Sequence, residues 1–209
     1  EKFAGWGYFE GMDLITKNDM GADQDKMYTN KVNHGTSCAG VIAAEVDAEL
    51  TVGAAPGCRL FPIKWESQGR YLLIDEDLLD DALSYLADKV DILSNSWGSA
   101  PKQKWPQHLI NRISELARTG GRRGLGIVFL WAAGNENCPI QYESSVEIPY
   151  THGWKFEEDG SREWIKVKTS KVFQHNLVGV PGVMYIAALS SSAQRSHYSN
   201  YGPGISLCA

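Results

Sequence analysis

The stretch that decides the fold is His34-Gly35-Thr36-Ser37-Cys38-Ala39-Gly40-Val41-Ile42-Ala43-Ala44. Its alanines and single bulky aliphatic residues, without proline, predict a helix that begins just after His34 and runs to about Val46. Such a helix would hold the imidazole at its N-terminal mouth and bury its small apolar residues in a core. Because a buried imidazole needs a partner on each ring nitrogen, His34 is either a satisfied core histidine or a functional base.

Two later stretches favour the functional interpretation of this histidine. The first, Ser94-Asn95-Ser96-Trp97-Gly98-Ser99, leaves the predicted buried strand 90–94. The second, Trp131-Ala132-Ala133-Gly134-Asn135-Glu136, follows the apolar run 127–131, which is typical of a strand covered on both faces. Taken alone, a Gly-Asn pair usually marks a plain turn, and a tryptophan is usually a core residue. Here both occur where a predicted strand ends.

Helices and strands alternate along most of the chain. Asp75 opens a predicted amphipathic helix that ends near Lys89, and a second helix begins at Pro106 and stops at Gly120. Their apolar stripes are Leu78, Leu79, Ala82, Leu83 and Leu86 in the first helix, and Leu109, Ile110, Ile113, Leu116 and Ala117 in the second. Further strands are predicted over 60–65, 183–188 and 205–208. This order predicts an α/β fold with a mostly parallel sheet.

Two segments depart from this alternation. Residues 1–33 predict a short strand near 6–9 and then an acidic loop, which we interpret as solvated rather than metal-binding; its carboxylates are Asp13, Asp19, Asp23 and Asp25. Residues 139–175 carry several aromatic residues among many charges and predict a loop or hairpin insertion.

Composition narrows the class of protein. A chain of 209 residues with 43% hydrophobic residues fits one sizeable domain. The net charge of −5, with no basic cluster beyond Arg122-Arg123, argues against nucleic-acid binding. The apolar runs are too short to span a membrane. The chain starts with Glu1, and we expect it to be a segment of a longer protein. Its four widely spaced cysteines do not fix the redox compartment.

In this order, the three stretches beginning at His34, Ser94 and Trp131 resemble the subtilisin-like serine peptidases (subtilisin/kexin, peptidase family S8). The resemblance covers nearly the whole chain outside 139–175. It implies an α/β fold of three layers, with a mostly parallel central sheet and helices on both faces. It also implies that residues 1–209 are a partial peptidase S8 catalytic domain.

The resemblance assigns roles to individual residues. His34 would be the general base, and Asn135 would donate its side-chain amide to the oxyanion. The backbone of Ser96, Trp97 and Gly98 would pair with an extended polypeptide substrate. The wall of the primary specificity pocket would be formed by Ala132, Ala133 and Gly134.

Two of the family's three catalytic residues are not found in this sequence. The acid belongs in an Asp-x-Gly turn upstream of the histidine, and the nucleophile in a Gly-Thr-Ser-x-Ala-x-Pro element downstream. Gly35-Thr36-Ser37-Cys38-Ala39 is similar to the second element but lacks its proline, so we interpret Ser37 as a hydroxyl of the first helical turn. The expected activity is therefore that of a serine endopeptidase, with this chain inactive on its own.

The resemblance says less about substrate, cofactor and location. Residues 118–126 are similar to the kexin-like branch, but Ser99-Ala100-Pro101 and the region of Gln141 stand where that branch carries acidic residues. Cleavage after paired basic residues is therefore not expected. The family often binds Ca²⁺ after the histidine helix, where Asp47 would be a ligand. A secreted or extracytoplasmic location follows from the resemblance alone.

Two alternatives stay open at this point. The chain could belong to a pseudopeptidase that keeps the fold as a peptide-binding or scaffolding module. His34 and Cys38, four residues apart on one helix face, could instead hold a metal ion, although no second ligand pair stands at metal spacing.

Overall fold

The computed structural model describes residues 12–13, 18–19, 33–48, 51–65, 67–68, 71–98, 104–141, 147–170 and 175–209. The chain forms two units, Glu1–Leu86 and Ala87–Ala209, which are taken in turn. The strand predicted near residues 6–9 lies outside the described residues, as do Asp23, Asp25 and residues 99–101.

The first unit contains two helices and several two-residue strands. In chain order these are β1 (Met12–Asp13), β2 (Asn18–Asp19), α1 (His34–Ala43), β3 (Ile63–Lys64), β4 (Ser67–Gln68), β5 (Tyr71–Leu72) and α2 (Glu76–Leu86). Strand β1 pairs antiparallel with β2 and parallel with β3. The strand predicted over 60–65 is thus reduced to two residues directly after Pro62, which has no N–H to donate to a ladder.

Helix α1 begins at His34 as predicted but ends at Ala43, about three residues early. The prediction that it is buried in a core is wrong, because Ala43 is the buried residue of the helix, whereas His34 is exposed and Val41 is 65% exposed. The contacts explain this. The backbone N–H of Gly53 donates to the carbonyl of Ala44 at 2.8 Å, and the next two N–H groups bond to the last turn of the helix. The following loop therefore covers only the C-terminal end of α1.

Helix α2 has the predicted cap and the predicted stripe. The backbone N–H of Leu78 donates to the carboxylate of Asp75 at 2.8 Å, and Glu76 and Asp77 lie in the first turn, at the positive end of the helix dipole. The buried residues are Leu79, Ala82, Leu83 and Leu86. The helix ends at Leu86, three residues before Lys89.

The second unit is organised around a four-stranded parallel sheet. Its strands are β6 (Ile92–Asn95), β7 (Val128–Ala132), β10 (Val183–Ala187) and β11 (Leu207–Cys208), in the order β11-β10-β7-β6. Each neighbouring pair is parallel, which confirms the parallel sheet predicted from the alternation of elements.

The core of this unit lies on one face of the sheet. Phe129, Trp131 and Tyr185 are buried, whereas Ile92 is 60% and Val128 42% exposed. Successive side chains of a strand point to opposite faces, so only every second residue of β7 enters the core. The prediction that this strand is covered on both faces is therefore wrong, and so is the prediction of a buried strand over 90–94.

Helix α3 (Gln107–Thr119) follows Pro106 directly and buries Leu109, Ile113 and Leu116. Its end is fixed as predicted, because the N–H of Gly120 donates to the carbonyl of Leu116 at 2.9 Å. Beyond the helix, the guanidinium of Arg122 binds the carboxylate of Asp91 at the start of β6. The C-terminal end of α3 is thereby tied to the sheet.

Within the segment 139–175 the structure has an antiparallel hairpin of β8 (Glu147–Phe156) and β9 (Arg162–Ser170). Its turn is closed by the carboxylate of Asp159, which accepts the backbone N–H of Ser161 at 2.8 Å; hydrogen bonds from the side chain and then the backbone of Ser161 lower the pKa of Asp159. The hairpin is one of the two forms expected for this segment. Its status as an insertion stays a prediction.

Candidate active site

The loop that follows β7, residues 133–138, carries the predicted oxyanion donor. Gly134 has a φ of +102°, a left-handed conformation that favours glycine. A Cβ on Gly134 would lie 2.5 Å from a carboxylate oxygen of Glu136 and would also clash with the side chain of Asn200. Asn135 itself is exposed. The backbone of this loop therefore turns sharply at a glycine and presents the amide of Asn135 at the surface.

The fully buried amide of Asn200 holds the 133–138 loop. Its Oδ1 accepts the backbone N–H groups of Cys138 at 2.8 Å and Glu136 at 3.3 Å. Its Nδ2 donates to the carbonyl of Ala133 at 2.8 Å and to the carboxylate of Glu136 at 2.7 Å. No local sequence pattern indicated that a side chain between the predicted strands 183–188 and 205–208 binds the loop after β7.

Arg195 reinforces the same junction from the surface. Its guanidinium donates to Oδ1 of Asn137 at 2.9 Å and to the carbonyl of Ser199, and its Cζ lies 4.7 Å from the centre of the Tyr201 ring. One nitrogen of the guanidinium, Nη1, donates both hydrogen bonds, while the planar group forms a cation–π contact with the ring. Arg195 therefore joins the residues on both sides of Asn200 to the end of the 133–138 loop.

The predicted stretch that starts at Ser94 begins at the end of β6. Asn95 is buried, and its Nδ2 donates to the carbonyl of Leu130 on the neighbouring strand at 3.2 Å. Ser96 and Gly98 are then exposed, and Trp97 is half-buried. The side chain of Trp97 packs as a core residue would, whereas the backbone on either side of it is accessible. The side chain of Trp97 thus fits the interpretation as a core residue, and its backbone fits the interpretation as a substrate contact.

A pocket of about 120 Å³ lies where these two stretches meet. Its lining includes all seven residues that the sequence assigned to the oxyanion site and to substrate contact within this unit: Ser96, Trp97, Gly98, Ala132, Ala133, Gly134 and Asn135. Five further lining residues had no predicted role: Trp105, Trp131, Glu136, His175 and Tyr185. Two stretches more than thirty residues apart in the chain therefore form one cavity, as the resemblance implied.

The walls of this pocket are aromatic. The ring of Trp97 meets those of Trp105 and Trp131 edge-on, at centroid distances of 6.3 Å and 5.6 Å. His175 stacks on Tyr185 with ring centroids 5.2 Å apart. Burial lowers the pKa of His175 and raises that of Tyr185, so both rings are uncharged at neutral pH.

Glu136 contributes a carboxylate to this lining. The likeness to the kexin-like branch directed attention to the region of Gln141, whereas the carboxylate at the pocket belongs to Glu136, which directly follows Asn135. Its position in the sequence could have indicated this, because the residue next to Asn135 must lie near the same pocket. Glu136 is half-buried and accepts a hydrogen bond from Asn200, so its charge is held in place at the pocket.

His34 lies in the first unit and the pocket in the second. The prediction that His34 and Asn135 act in the same active site therefore stays a prediction. The imidazole is exposed at the N-terminal end of α1, and its Nδ1 is 3.7 Å from Sγ of Cys38. The hydroxyl of Ser37 donates to the carbonyl of Asn33 at 3.1 Å. This bond within the first turns of α1 fits the interpretation of Ser37 as a helix hydroxyl.

The predicted metal ligands are not joined by further ligands in the described part of the chain. Asp47 is exposed in the loop after α1, and no three His, Cys, Asp or Glu residues within the described ranges are grouped to hold a metal ion. Nearby, the carboxylate of Glu45 accepts the N–H of Gly57 at 2.8 Å. Ca²⁺ also takes backbone carbonyl oxygens as ligands, so a calcium site at Asp47 stays a prediction. The four cysteines are free thiols.

Within the described ranges, none of the helices combines the length and apolar content needed to cross a membrane.

Comparison with known proteins shows related proteases. A calcium-dependent protease of Nostoc sp. is 35% identical over 188 residues, which cover 84% of this chain and 23% of the relative. Proprotein convertase subtilisin/kexin type 5 of Homo sapiens is 35% identical over 139 residues, which cover 60% of this chain and 7% of the relative. The chain therefore spans less than a quarter of the length of these relatives.

Solved structures show the same fold. A serine protease of Aeromonas sobria, crystallised with its chaperone, is 21% identical and has a TM-score of 0.61. The match covers 97% of this chain and 32% of the chain of that protease. The subtilisin-like protease Apa1 of Pseudoalteromonas sp. AS-11 is 16% identical with a TM-score of 0.58 and matches 96% of this chain and 36% of its own. These likenesses confirm the predicted subtilisin-like α/β fold.

The model of the subtilase family matches residues 10–209. Since this match covers almost the whole chain and the fold agrees with it, the chain belongs to the subtilase family.

Proposed function

We propose that this chain is part of a serine endopeptidase, to which it contributes the general base, the oxyanion donor and the substrate pocket. The observation that carries the proposal is the pocket of the second unit, where the segments 96–98 and 132–135 line one cavity. Membership of the subtilase family, whose relatives are proteases, supports the same activity.

The proposed mechanism gives each group one task. The imidazole of His34 takes the proton of the serine hydroxyl and later delivers it to the leaving amine. The side-chain amide of Asn135 donates hydrogen bonds to the oxyanion that develops on the scissile carbonyl. The accessible backbone around Trp97 pairs with an extended polypeptide substrate as an added strand, which holds the scissile bond in place.

The Gly-Thr-Ser-x-Ala-x-Pro element does not occur in these 209 residues, and the Asp-x-Gly sequence at Asp19-Met20-Gly21 lies only 15 residues before His34. We place the catalytic acid and the nucleophile outside residues 1–209, and we expect the purified chain to be inactive. A secreted or extracytoplasmic location rests on family resemblance alone. The Nostoc relative is named a calcium-dependent protease. Calcium at Asp47 stays a proposal, and the steps given above use side chains and backbone alone.

The second candidate is a pseudopeptidase that binds peptides in the same pocket. The pocket and the accessible backbone at residues 96–98 would serve such a module without any catalytic group. The presence of both His34 and Asn135 favours the enzyme, since a binding module needs neither a base nor an oxyanion donor.

One experiment separates the candidates. Residues 1–209 and the product of the complete reading frame are expressed, treated with a fluorophosphonate probe and assayed on a mixed peptide library. We expect the complete product to be labelled and to cleave peptides, its His34→Ala variant to lose both properties, and the 209-residue chain to show neither. A complete product that binds peptides but is not labelled would establish the pseudopeptidase. Labelling of the isolated chain would overturn the placement of the nucleophile.

A further inference from the structure

We propose that Asn200 is a positioning residue for catalysis: its buried amide sets the backbone conformation that aims Asn135 at the oxyanion. The inference rests on the proposed function and deepens it, because it concerns the same site. Asn200 itself does not line the pocket, so it acts through the 133–138 loop rather than on substrate.

The hydrogen bonds of Asn200 surround Asn135 on both sides. Ala133, two residues before the donor, gives its carbonyl to Nδ2, and Glu136 and Cys138, after the donor, give their N–H groups to Oδ1. The amide therefore has two donor and two acceptor contacts, all within one six-residue loop. A buried amide that loses such partners bears the full cost of desolvation, so the loop is held to one conformation.

A loop with this task needs such a support because Asn135 itself is exposed. Gly134, with its φ of +102°, provides no side chain that could fix the backbone by packing. An oxyanion donor must be preorganised, because a misplacement of about 1 Å costs up to about 100-fold in rate. Asn200 supplies the support that Gly134 cannot give. It lies 62 to 67 residues further along the chain than the groups it binds.

The hydrogen bond between Asn200 and Glu136 makes the proposal testable, because substitutions can reverse its direction. Its carboxylate accepts from Nδ2 of Asn200 at 2.7 Å. In Asn200→Asp this donor becomes a second carboxylate, which repels Glu136. In the double variant Asn200→Asp/Glu136→Gln, an amide at position 136 can donate to the new carboxylate and reverse the direction of the bond. A residue that merely fills space would not show such a rescue.

The test uses the peptidase expressed from the complete reading frame. We expect Asn200→Ala and Asn200→Asp to lower kcat by about 10- to 100-fold while KM changes by less than about twofold, because the lost alignment matters in the transition state. Glu136→Gln added to Asn200→Asp should restore kcat by at least about fivefold, which is the coupling expected of groups in direct contact.

Ser199→Ala is the matched control. Ser199 is also buried, and its hydroxyl accepts the N–H of Ala188 at 3.0 Å and donates to the carbonyl of Asn200, without touching the 133–138 loop. It should lower Tm as the Asn200 variants do but leave kcat within about twofold of the wild type. Equal loss of kcat in Ser199→Ala and Asn200→Ala, an unchanged kcat in Asn200→Ala, or failure of the rescue would each overturn the proposal.

A second measurement separates this inference from the proposed function. Amide hydrogen exchange of the 209-residue chain should show loss of protection at Glu136 and Cys138 in Asn200→Ala, whereas Ser199→Ala keeps that protection. A wild-type product without turnover would end the proposed function. Retained protection in Asn200→Ala would end the positioning claim, whatever the activity.

Discussion

The indole of Trp97 meets the indole of Trp131 edge-on, with ring centroids 5.6 Å apart and planes inclined by 81°. Trp131 belongs to β7, and Trp97 belongs to the segment after β6, so this contact joins the proposed substrate-pairing edge to the proposed specificity pocket. Trp105 extends the contact on the other side of Trp97. Peptide pairing and pocket shape should therefore change together when this ring is removed.

Trp97→Ala should raise KM for extended peptides by several-fold and change kcat less. Each aromatic pair contributes about 0.5–1.5 kcal/mol beyond its buried area, and both pairs of Trp97 are lost in this variant. Trp97→Phe keeps an aromatic ring at the contact and should retain most of the affinity. Steady-state kinetics on peptides of increasing length check this, and equal KM values for the two variants would contradict it.

Asn135→Ala in the complete peptidase should lower kcat by about 10²–10³-fold with a small change in KM. The magnitude is that measured for the oxyanion asparagine of subtilisin, and we expect it here because Asn135 is the proposed oxyanion donor. Asn111→Ala removes an exposed asparagine of α3 that does not line the pocket, and is the matched control. A loss confined to KM would show that Asn135 binds substrate without stabilising the transition state.

Gly134→Ala should destabilise the fold more than Gly179→Ala. Both glycines have a positive φ, of +102° and +85° respectively, so both variants bear backbone strain of about 1 kcal/mol or more. Only Gly134 is crowded, because its added Cβ would meet Asn200 and Glu136, whereas that of Gly179 meets open space. Urea unfolding of the two variants gives the difference directly. Equal free energies of unfolding would show that the crowding relaxes without cost.

Stability should fall in mildly acidic solution because of His175. Burial lowers its pKa below the ordinary value of 6.5. Above pH 6.5 the imidazole of His175 is uncharged in both the folded and the unfolded state, so it contributes nothing to the pH dependence. As the pH falls below 6.5, the unfolded state takes up a proton that the folded state does not bind. The free energy of unfolding then decreases, by at most about 1.4 kcal/mol per pH unit, until the pKa of the folded state is reached.

His175→Phe keeps a ring against Tyr185 and should remove this slope, as measured by urea unfolding between pH 7 and about pH 5. Tyr185→Phe keeps the histidine and its stacking partner and should retain the slope. An identical pH dependence in wild type and His175→Phe would show that other groups cause the acid sensitivity.

Local sequence patterns predicted the elements of this fold well. The periodic leucines of α2, the capping carboxylate of Asp75 and the Gly120 stop act over a few residues, so their effects can be recognised without knowledge of the tertiary structure. The order of strands and helices then predicted a parallel sheet.

Burial was predicted less well, because it depends on what covers a segment. The small residues of α1 and the apolar run of β7 both indicated full burial, yet Val41 and Val128 are exposed. Seven of the twelve pocket residues were named from the sequence, because motifs at two strand ends identify them. The supporting groups Asn200 and Arg195 were not predicted, since contacts across 58 to 67 residues leave no periodic trace in either segment.

The support of the 133–138 loop has a consequence for protein engineering. A chimera that transplants only the Trp-Ala-Ala-Gly-Asn strand end into another subtilase would separate it from Asn200 and from the Arg195 guanidinium. A lysine would be a poor substitute for Arg195, because an ammonium has no planar face to lay on the Tyr201 ring. The exchangeable module of this domain is therefore a pair of segments, 131–138 and 195–201, which must be moved together.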